Sequence, residues 1–210
     1  MNKVLVSLLL TLGITGMAQA AGDAAAGQTK VALCSACHNP DGNSALPNFP
    51  KLAGQGEPYL LKQMQDIKAG STPGAAAGVG RKVVEMTAML DSFSDKDLAD
   101  IAAYFASQKG SIGTADPALV ERGEALYRGG KLAEGMPSCT GCHAPDGQGN
   151  DMAKYPKLNG QHAAYIAKQL TDFREGVRTN DGDTMIMRAI AAKLSNKDIQ
   201  ALSSYIQGLH

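Results

Sequence analysis

The sequence predicts an all-α protein that consists of two tandem domains related by internal duplication. One five-residue pattern, Cys-x-x-Cys-His, occurs twice, at residues 34–38 and 139–143. In both halves, apolar residues recur with the three- and four-residue spacing that is typical of the buried face of an α-helix. The segments around the two patterns also match each other, which indicates two copies of one structural unit.

The internal repeat extends from each motif almost to the end of its half. Compared with the first half, the second half has more residues between its opening helix and its motif, and fewer residues in the loop before its last methionine segment. The matched segments are Pro40-Asp41-Gly42 with Pro145-Asp146-Gly147, Phe49-Pro50-Lys51-Leu52 with Tyr155-Pro156-Lys157-Leu158, Gly54-Gln55 with Gly160-Gln161, and Tyr59, Lys62 and Gln63 with Tyr165, Lys168 and Gln169.

Each half is expected to begin and end with a helix. Asp23 and Asp116 precede the opening helices, and Ser94 and Ser195 are suitable N-caps for the closing helices. The predicted buried stripes are Leu60, Met64 and Ile67, then Leu98, Ile101 and Phe105 in the first half, and Ile166, Leu170 and Phe173, then Ile199, Leu202 and Ile206 in the second.

The N-terminus has the pattern of a secretory signal peptide. Lys3 is followed by a mostly apolar stretch, and Ala18-Gln19-Ala20 forms an A-x-A cleavage site. We assign residues 1–20 to a signal peptide, 21–109 to an N-terminal domain, 110–115 to a linker and 116–210 to a C-terminal domain. An uncleaved anchor is the alternative, but the apolar stretch is shorter than the ~20 residues that a membrane span needs. We therefore expect a periplasmic protein.

The charge balance argues against nucleic acid as a partner. Removing Lys3 from the 20 Lys and Arg leaves 19, against 20 Asp and Glu, whereas nucleic-acid-binding domains carry a basic excess. Tryptophan is absent and other aromatic residues are few, so two small domains have little bulk for their cores. A large apolar cofactor would supply the missing mass.

The two Cys-x-x-Cys-His motifs predict two covalently bound haem c groups. Two thiols on one helical turn can add to the two vinyl groups of a haem, and the adjoining histidine can then ligate the iron. The residues assigned to covalent attachment are Cys34, Cys37, Cys139 and Cys142, and the assigned iron ligands are His38 and His143.

Three other uses of the four cysteines compete with haem attachment. Cysteines of exported proteins commonly form disulfides, a C-x-x-C pair can be a redox dithiol, and two such pairs can bind zinc. A redox dithiol would need a βαβ context, of which the sequence shows no sign. Zinc would leave the histidine after each pair as a coincidence.

The second axial ligand of each iron is predicted to be a methionine, the usual partner of histidine in cytochromes c. When the two halves are aligned, Met86 is equivalent to Met187, whereas Met89 is equivalent to Ile190. We therefore assign Met86 to the first iron and Met187 to the second, with Met185 as the rival in the second site. Because thioether ligation raises the reduction potential, two fairly high potentials are expected.

The other histidines and two prolines also have expected roles. A surface or hydrogen-bonding role is expected for His162, with iron ligation as the alternative, and His210 is expected to fray at the chain end. The free N–H of each motif histidine needs an acceptor, which the carbonyl of Pro50 or Pro156 could provide. A plain turn proline is the alternative.

These residues resemble class I cytochromes c, and the duplicated arrangement is similar to the diheme cytochrome c4 family over the whole mature chain. The likeness rests on both Cys-x-x-Cys-His motifs, the Phe/Tyr-Pro-Lys-Leu segments and the late methionines. It implies two class I cytochrome c-type haem domains, related by an approximate twofold with their haems close together. It also implies histidine bonds to the Pro50 and Pro156 carbonyls, and a carrier that feeds a terminal oxidase.

The sequence favours a respiratory electron carrier, with a redox protein as donor and a terminal oxidase as acceptor, over an enzyme. A diheme peroxidase or thiosulfate-oxidising cytochrome would need an open iron position with acid–base groups above it. A haem subunit of a dehydrogenase complex is a further alternative, which a large exposed apolar patch would favour. We expect a monomer without a small-molecule substrate, and peripheral membrane association stays open.

Overall fold

The computed structural model describes residues 22–74, 76 and 78–210, which form two helical domains in tandem. The predicted signal peptide, residues 1–20, lies outside the described residues. The first domain contains α1 (Ala24–Gln28), α2 (Ala32–His38), α3 (Glu57–Ser71), a 3₁₀ helix (Val84–Met86) and α4 (Asp95–Ser107). The second contains α5 (Pro117–Gly129), a 3₁₀ helix (Leu132–Glu134), α6 (Thr140–His143), α7 (Ala163–Arg174), α8 (Ile186–Ala191) and α9 (Asn196–Gly208).

The two domains repeat one order of helices. An opening helix (α1 or α5) precedes the motif helix (α2 or α6), and a long helix (α3 or α7) and a closing helix (α4 or α9) follow. Among the described residues, extended pairing is limited to two isolated bridges, Lys131 with Met136 and Asn150 with Tyr155. The predicted all-α class with duplicated domains is confirmed. In residues 22–74, 76 and 78–210, every helix is too short or too polar to traverse a bilayer.

The helices begin where the sequence signals place them. The Ser94 hydroxyl accepts the backbone N–H of Asp97 at 3.2 Å, and the Asp97 carboxylate accepts that of Ser94 at 3.0 Å. This reciprocal pair is a capping box, and Ser195 begins α9 in the same way. The side chains of Asp23 and Asp116 cap α1 and α5. The two predicted N-caps and the two predicted starts of the opening helices are confirmed.

In each domain the opening helix packs against the closing helix through a glycine. A Cβ on Gly27 would lie 2.0 Å from the carbonyl oxygen of Asp100, and one on Gly123 would lie 2.5 Å from that of Ala201. The lack of a side chain at these two positions allows the close approach. The predicted stripes of the closing helices are buried; they comprise Leu98, Ile101, Phe105, Ile199, Leu202 and Ile206.

Residues 110–115 connect the domains without regular secondary structure. The Ser111 N–H donates to Oδ1 of Asn43 in the first domain at 2.8 Å. The Gly113 N–H donates to the carbonyl oxygen of Gln207 in the second domain at 3.0 Å. The connection is therefore tied to both domains, while the assigned domain limits stay a prediction.

Replacing Gly123 by Ala should destabilise the second domain, because the added methyl group would meet the backbone of α9. Overpacking of this kind costs about 1–3 kcal/mol. Gly129 lies on the same helix, and a Cβ there would have no other atom within 4 Å. Gly129→Ala is therefore the matched control and should be neutral or stabilising by up to ~1 kcal/mol. Urea unfolding followed by circular dichroism measures both variants. An unaltered midpoint for Gly123→Ala would contradict the close helix crossing.

The first domain should lose stability in acid. Hydrogen bonds from Lys30 and from the Asp23 N–H hold the pKa of Asp100 well below its ordinary value of 3.8, and Lys30 and Ser94 lower the pKa of Asp97 to about 2. As the pH falls below 3.8, the unfolded chain takes up protons that the folded domain does not. The stabilisation is therefore complete above that pH and is lost as the pH approaches 2.

The Asp100→Asn variant should show a weaker loss of stability on acidification than the wild type. The comparison uses the difference in urea midpoint between pH 7 and about pH 3 for each protein. Equal pH dependence in the two proteins would show that Asp100 does not carry this stabilisation.

Candidate haem-binding site

The two Cys-x-x-Cys-His motifs face one continuous cavity of about 1240 Å³. The cavity extends through both domains, and its wall, which is mainly apolar, contains all four cysteines and both motif histidines. Its volume exceeds the ~300–1,000 Å³ of a pocket for one small molecule. All four cysteines are free thiols, so the disulfide alternative does not describe this chain.

Each motif helix ends directly after its histidine because the next residue adopts a left-handed backbone conformation. Asn39 has φ 61° and Ala144 has φ 65°, a region that residues other than glycine seldom occupy. The chain then turns at a glycine whose carbonyl oxygen accepts two N–H groups from the segment that follows the turn. In the first domain, the Gly42 oxygen accepts the N–H groups of Leu52 and Ala53. In the second domain, the Gly147 oxygen accepts those of Leu158 and Asn159. This return places a proline beside each histidine.

Both motif histidines donate a hydrogen bond to a proline carbonyl, as the sequence predicts. Nδ1 of His38 donates to the Pro50 oxygen at 2.9 Å, and Nδ1 of His143 donates to the Pro156 oxygen at 3.0 Å. Because a carbonyl can only accept, the proton lies on Nδ1 and Nε2 keeps its lone pair. Burial lowers the pKa of both rings, and the proline carbonyls partly offset this effect. Each ring is thus neutral, which iron ligation requires.

The first thiol of each motif does not have the character of a reactive dithiol. Burial raises the pKa of Cys34 and raises that of Cys139 to about 11. Reactive dithiols instead have a thiol pKa below that of free cysteine. Within the part of the chain that the structure describes, no group of three or more His, Cys, Asp or Glu side chains is arranged to hold a metal ion.

Met86 and Met187, the predicted axial methionines, both lie on the cavity wall. Met185, the rival of Met187, is 49% exposed and lies outside that wall. Met64 and Met136 also reach the cavity. Met136 is fully buried in the apolar cluster of its domain. Met64 packs against an apolar cluster, as Met86 does, but the repeat aligns Met64 with Leu170 rather than with a methionine. The geometry therefore favours Met187 over Met185 as the ligand.

In the first domain, two methionines that are close in the chain, Met86 and Met89, both lie on the cavity wall. Met89 lines the cavity together with Met86, and the Met89 N–H donates to the Met86 carbonyl oxygen at 3.1 Å. The repeat, which pairs Met86 with Met187, is the reason for preferring Met86.

Two arginines form a matching pair where the domains meet over the cavity. Arg81 donates to Gln63 of its own domain at 2.9 Å, and to Tyr165 at 3.2 Å and Gln169 at 2.7 Å in the other. Arg178 repeats this pattern with the opposite domains: it donates to Gln169 at 2.9 Å, to Tyr59 at 3.2 Å and to Gln63 at 3.0 Å.

The arginine pair gives one region of the cavity a positive charge. Both guanidinium groups lie on the wall, and Arg178 is 8% exposed. Their hydrogen bonds go to neutral side chains. Burial alone would raise the pKa of the Tyr165 hydroxyl, but the field of Arg81 and Arg178 outweighs it and lowers that pKa. Buried cations gain from anionic partners, so these arginines suit the two carboxylates of haem.

The residues present therefore fit haem. The cavity offers thiols in pairs, a neutral imidazole beside each pair, methionine sulfur, apolar walls and cationic groups for the carboxylates. The sequence does not predict Arg81 and Arg178, because the segments that hold them differ in length between the halves. The equivalence of Tyr59 with Tyr165 and of Gln63 with Gln169 is the signal that pointed to this region.

The remaining histidines lie away from the motif positions. Nε2 of His162 donates to the carbonyl oxygen of Ser44 across the domain interface at 2.8 Å, which confirms the expected hydrogen-bonding role. Nδ1 of His210 donates to the carbonyl oxygen of Gly208 at 2.9 Å.

Comparison with known proteins agrees with this geometry. The family model for cytochrome c matches residues 24–109 and again residues 120–210. The chain is 80% identical to cytochrome c4 of Stutzerimonas stutzeri and 78% identical to cytochrome c4 of Azotobacter vinelandii, over 210 residues and 100% of both chains in each case. The solved structure of reduced recombinant cytochrome c4 from Pseudomonas stutzeri matches with a TM-score of 0.89 and 79% identity, over 90% of this chain and 100% of that one.

The fold, the cavity and the two matched domains define a c-type cytochrome that carries two covalently bound haem c groups. Its function is electron transfer, and it is a carrier rather than an enzyme. The chain belongs to the cytochrome c4 family. This finding removes the peroxidase and thiosulfate-oxidising alternatives.

Replacing Met187 by Ala should remove about half of the sulfur-to-iron charge-transfer absorbance of the ferric holoprotein. It should also lower the reduction potential of one haem, because thioether ligation raises that potential. Met185→Ala is the matched control and should leave the spectrum and both potentials unchanged. Met86→Ala and Met89→Ala form the equivalent pair in the first domain. The opposite result within either pair would transfer the ligand role to the control residue.

Proposed function

We propose that this chain carries electrons from a redox protein donor to a terminal oxidase in the bacterial periplasm. When bound, haem supplies one-electron chemistry by cycling between Fe(II) and Fe(III). The proposed attachment residues are Cys34, Cys37, Cys139 and Cys142, and the proposed axial ligands are His38 with Met86 and His143 with Met187.

The single cavity that joins both motifs is the observation that supports this proposal most directly. The histidine and the methionine proposed for each iron lie on the wall of the same cavity. With one histidine and one methionine holding each iron, the site would have no place for a small-molecule substrate. A continuous cavity also allows the two redox centres to lie close together, and electron tunnelling between them falls steeply with distance.

Partners have an exposed apolar rim on which to dock. Val84 is 85% exposed and Val177 is 67% exposed, and both lie on the cavity wall, one in each domain. Redox partners associate through small, transient interfaces. We propose that the donor and the oxidase use this rim in turn, and that the chain works as a monomer exported through its signal peptide.

The test uses the reduced holoprotein, recovered from a periplasmic extract, and membranes that contain the terminal oxidase. The membranes should oxidise the wild-type protein rapidly, and cyanide should stop this oxidation. The Val84→Asn/Val177→Asn double variant should be oxidised several-fold more slowly, because both changes remove apolar contact area from the rim.

Leu132→Asn is the matched control, since Leu132 is 77% exposed but lies outside the cavity wall. It should be oxidised at the wild-type rate. A wild-type protein that the membranes do not oxidise faster than buffer does would refute the oxidase as acceptor. Equal slowing in the control and in the double variant would refute the rim as the docking surface.

A further inference from the structure

Two glutamines cross the domain interface, and each pairs with the backbone of the opposite domain. Oε1 of Gln161 accepts the Lys51 N–H at 2.9 Å, and its Nε2 donates to the Lys51 carbonyl oxygen at 2.9 Å. Gln55 makes the same two bonds to Lys157, at 2.8 Å and 2.9 Å. Each glutamine is 7% exposed, so these bonds have little competition from water.

The peptide group that each glutamine contacts also contains the carbonyl that binds a motif histidine. The Lys51 N–H and the Pro50 carbonyl belong to one peptide unit, which lies between Gln161 and His38. The reciprocal arrangement links Gln55 to His143: the peptide between Pro156 and Lys157 donates its N–H to Gln55 and accepts the bond from His143. Each histidine is therefore linked, through two hydrogen bonds and one peptide, to a side chain of the domain that does not contain it.

Hydrogen bonds arranged in series polarise one another. When the Lys51 N–H donates to Gln161, the dipole of its peptide increases, and the Pro50 oxygen becomes a better acceptor by roughly 10–30% per bond. A better acceptor withdraws more of the proton on Nδ1 of His38 and leaves the ring more electron-rich at Nε2. A more basic imidazole is a stronger ligand and favours the ferric state.

We propose that Gln161 is a positioning residue for His38, and Gln55 for His143, so that the opposite domain tunes each axial ligand. This inference rests on the proposed role of the two histidines as iron ligands. Its consequence is that the contact between the domains, and not the haem domain alone, sets the reduction potential of both centres. Any movement of one domain relative to the other would change both histidine bonds.

The test is a pair of variants with crossed effects. Gln161→Met removes both hydrogen bonds to Lys51, together with the bond that Oε1 accepts from the His162 N–H at 3.0 Å, and keeps a side chain of similar length. In the reduced holoprotein, the Nδ1–H resonance of His38 should move upfield and exchange faster with solvent, while that of His143 stays in place. Gln55→Met should have the reverse effect. In each variant, the haem whose histidine bond weakens should gain reduction potential, as a redox titration would show.

If the glutamines only hold the interface together, each variant should loosen the interface and shift the Nδ1–H resonances of both histidines. That result would overturn the proposal. His162→Ala is the matched control, because it removes a neighbouring interdomain bond without touching either peptide. Both Nδ1–H resonances should stay unchanged in the control. A change there as large as in Gln161→Met would equally overturn the proposal.

A second variant covers the case in which Gln161→Met does not fold. Gln161→Glu keeps an oxygen to accept the Lys51 N–H and removes the donor, so the His38 resonance should stay or move downfield; an upfield shift would count against the proposal. Failure of the axial ligation itself is visible in the wild type, where His38 would lack the ring-current shift of a haem ligand. If His38 is ligated but its Nδ1–H resonance is unchanged in both Gln161 variants, the proposed coupling is refuted while the ligand role of His38 stands.

Discussion

The hydrogen bond from each motif histidine to a proline carbonyl is the contact on which the site depends. It holds the proton on Nδ1 and leaves Nε2 free for iron. It also joins the motif helix to the segment that forms the domain interface. Because proline fixes its own φ, one of the two backbone rotations that position the accepting carbonyl is already restricted by the sequence. One bond therefore determines the protonation of each proposed ligand and connects it to the opposite domain.

The domain interface contains polar side chains that satisfy one another's hydrogen-bonding groups. Buried polar groups need hydrogen-bond partners, and here many of these partners lie on the opposite domain. Gln55 and Gln161 reach backbone groups, while Arg81 and Arg178 reach tyrosines and glutamines. An apolar contact would tolerate sliding, but these contacts are satisfied together only in one relative placement of the domains. The polar interface thus specifies the shape of the cavity that the two domains share.

The sequence predicts the parts of this site that are local in the chain. The Cys-x-x-Cys-His spacing indicates the motif helices, and the resemblance to cytochromes c implies the bond from His38 to the Pro50 carbonyl, which the residues alone leave open. The internal repeat favours Met187 over Met185, because Met187 aligns with Met86, and burial supports the same choice. Tertiary packing decides the rest. The meeting of Arg81 with Arg178 depends on how two domains dock, which no helical periodicity encodes.

Internal duplication explains why the interdomain contacts come in pairs, and also why the two centres differ. When two copies of one unit pack about an approximate twofold axis, each contact has a counterpart in the opposite direction. Some contacts here lack that counterpart. His162 bonds to Ser44, whereas the equivalent residue is Gly56, where a Cβ would lie 2.1 Å from Oδ1 of Asp151. Met86 ends a 3₁₀ helix, but Met187 lies in an α-helix. The two methionines proposed as ligands thus have different surroundings, so duplication of the chain does not make the two sites identical.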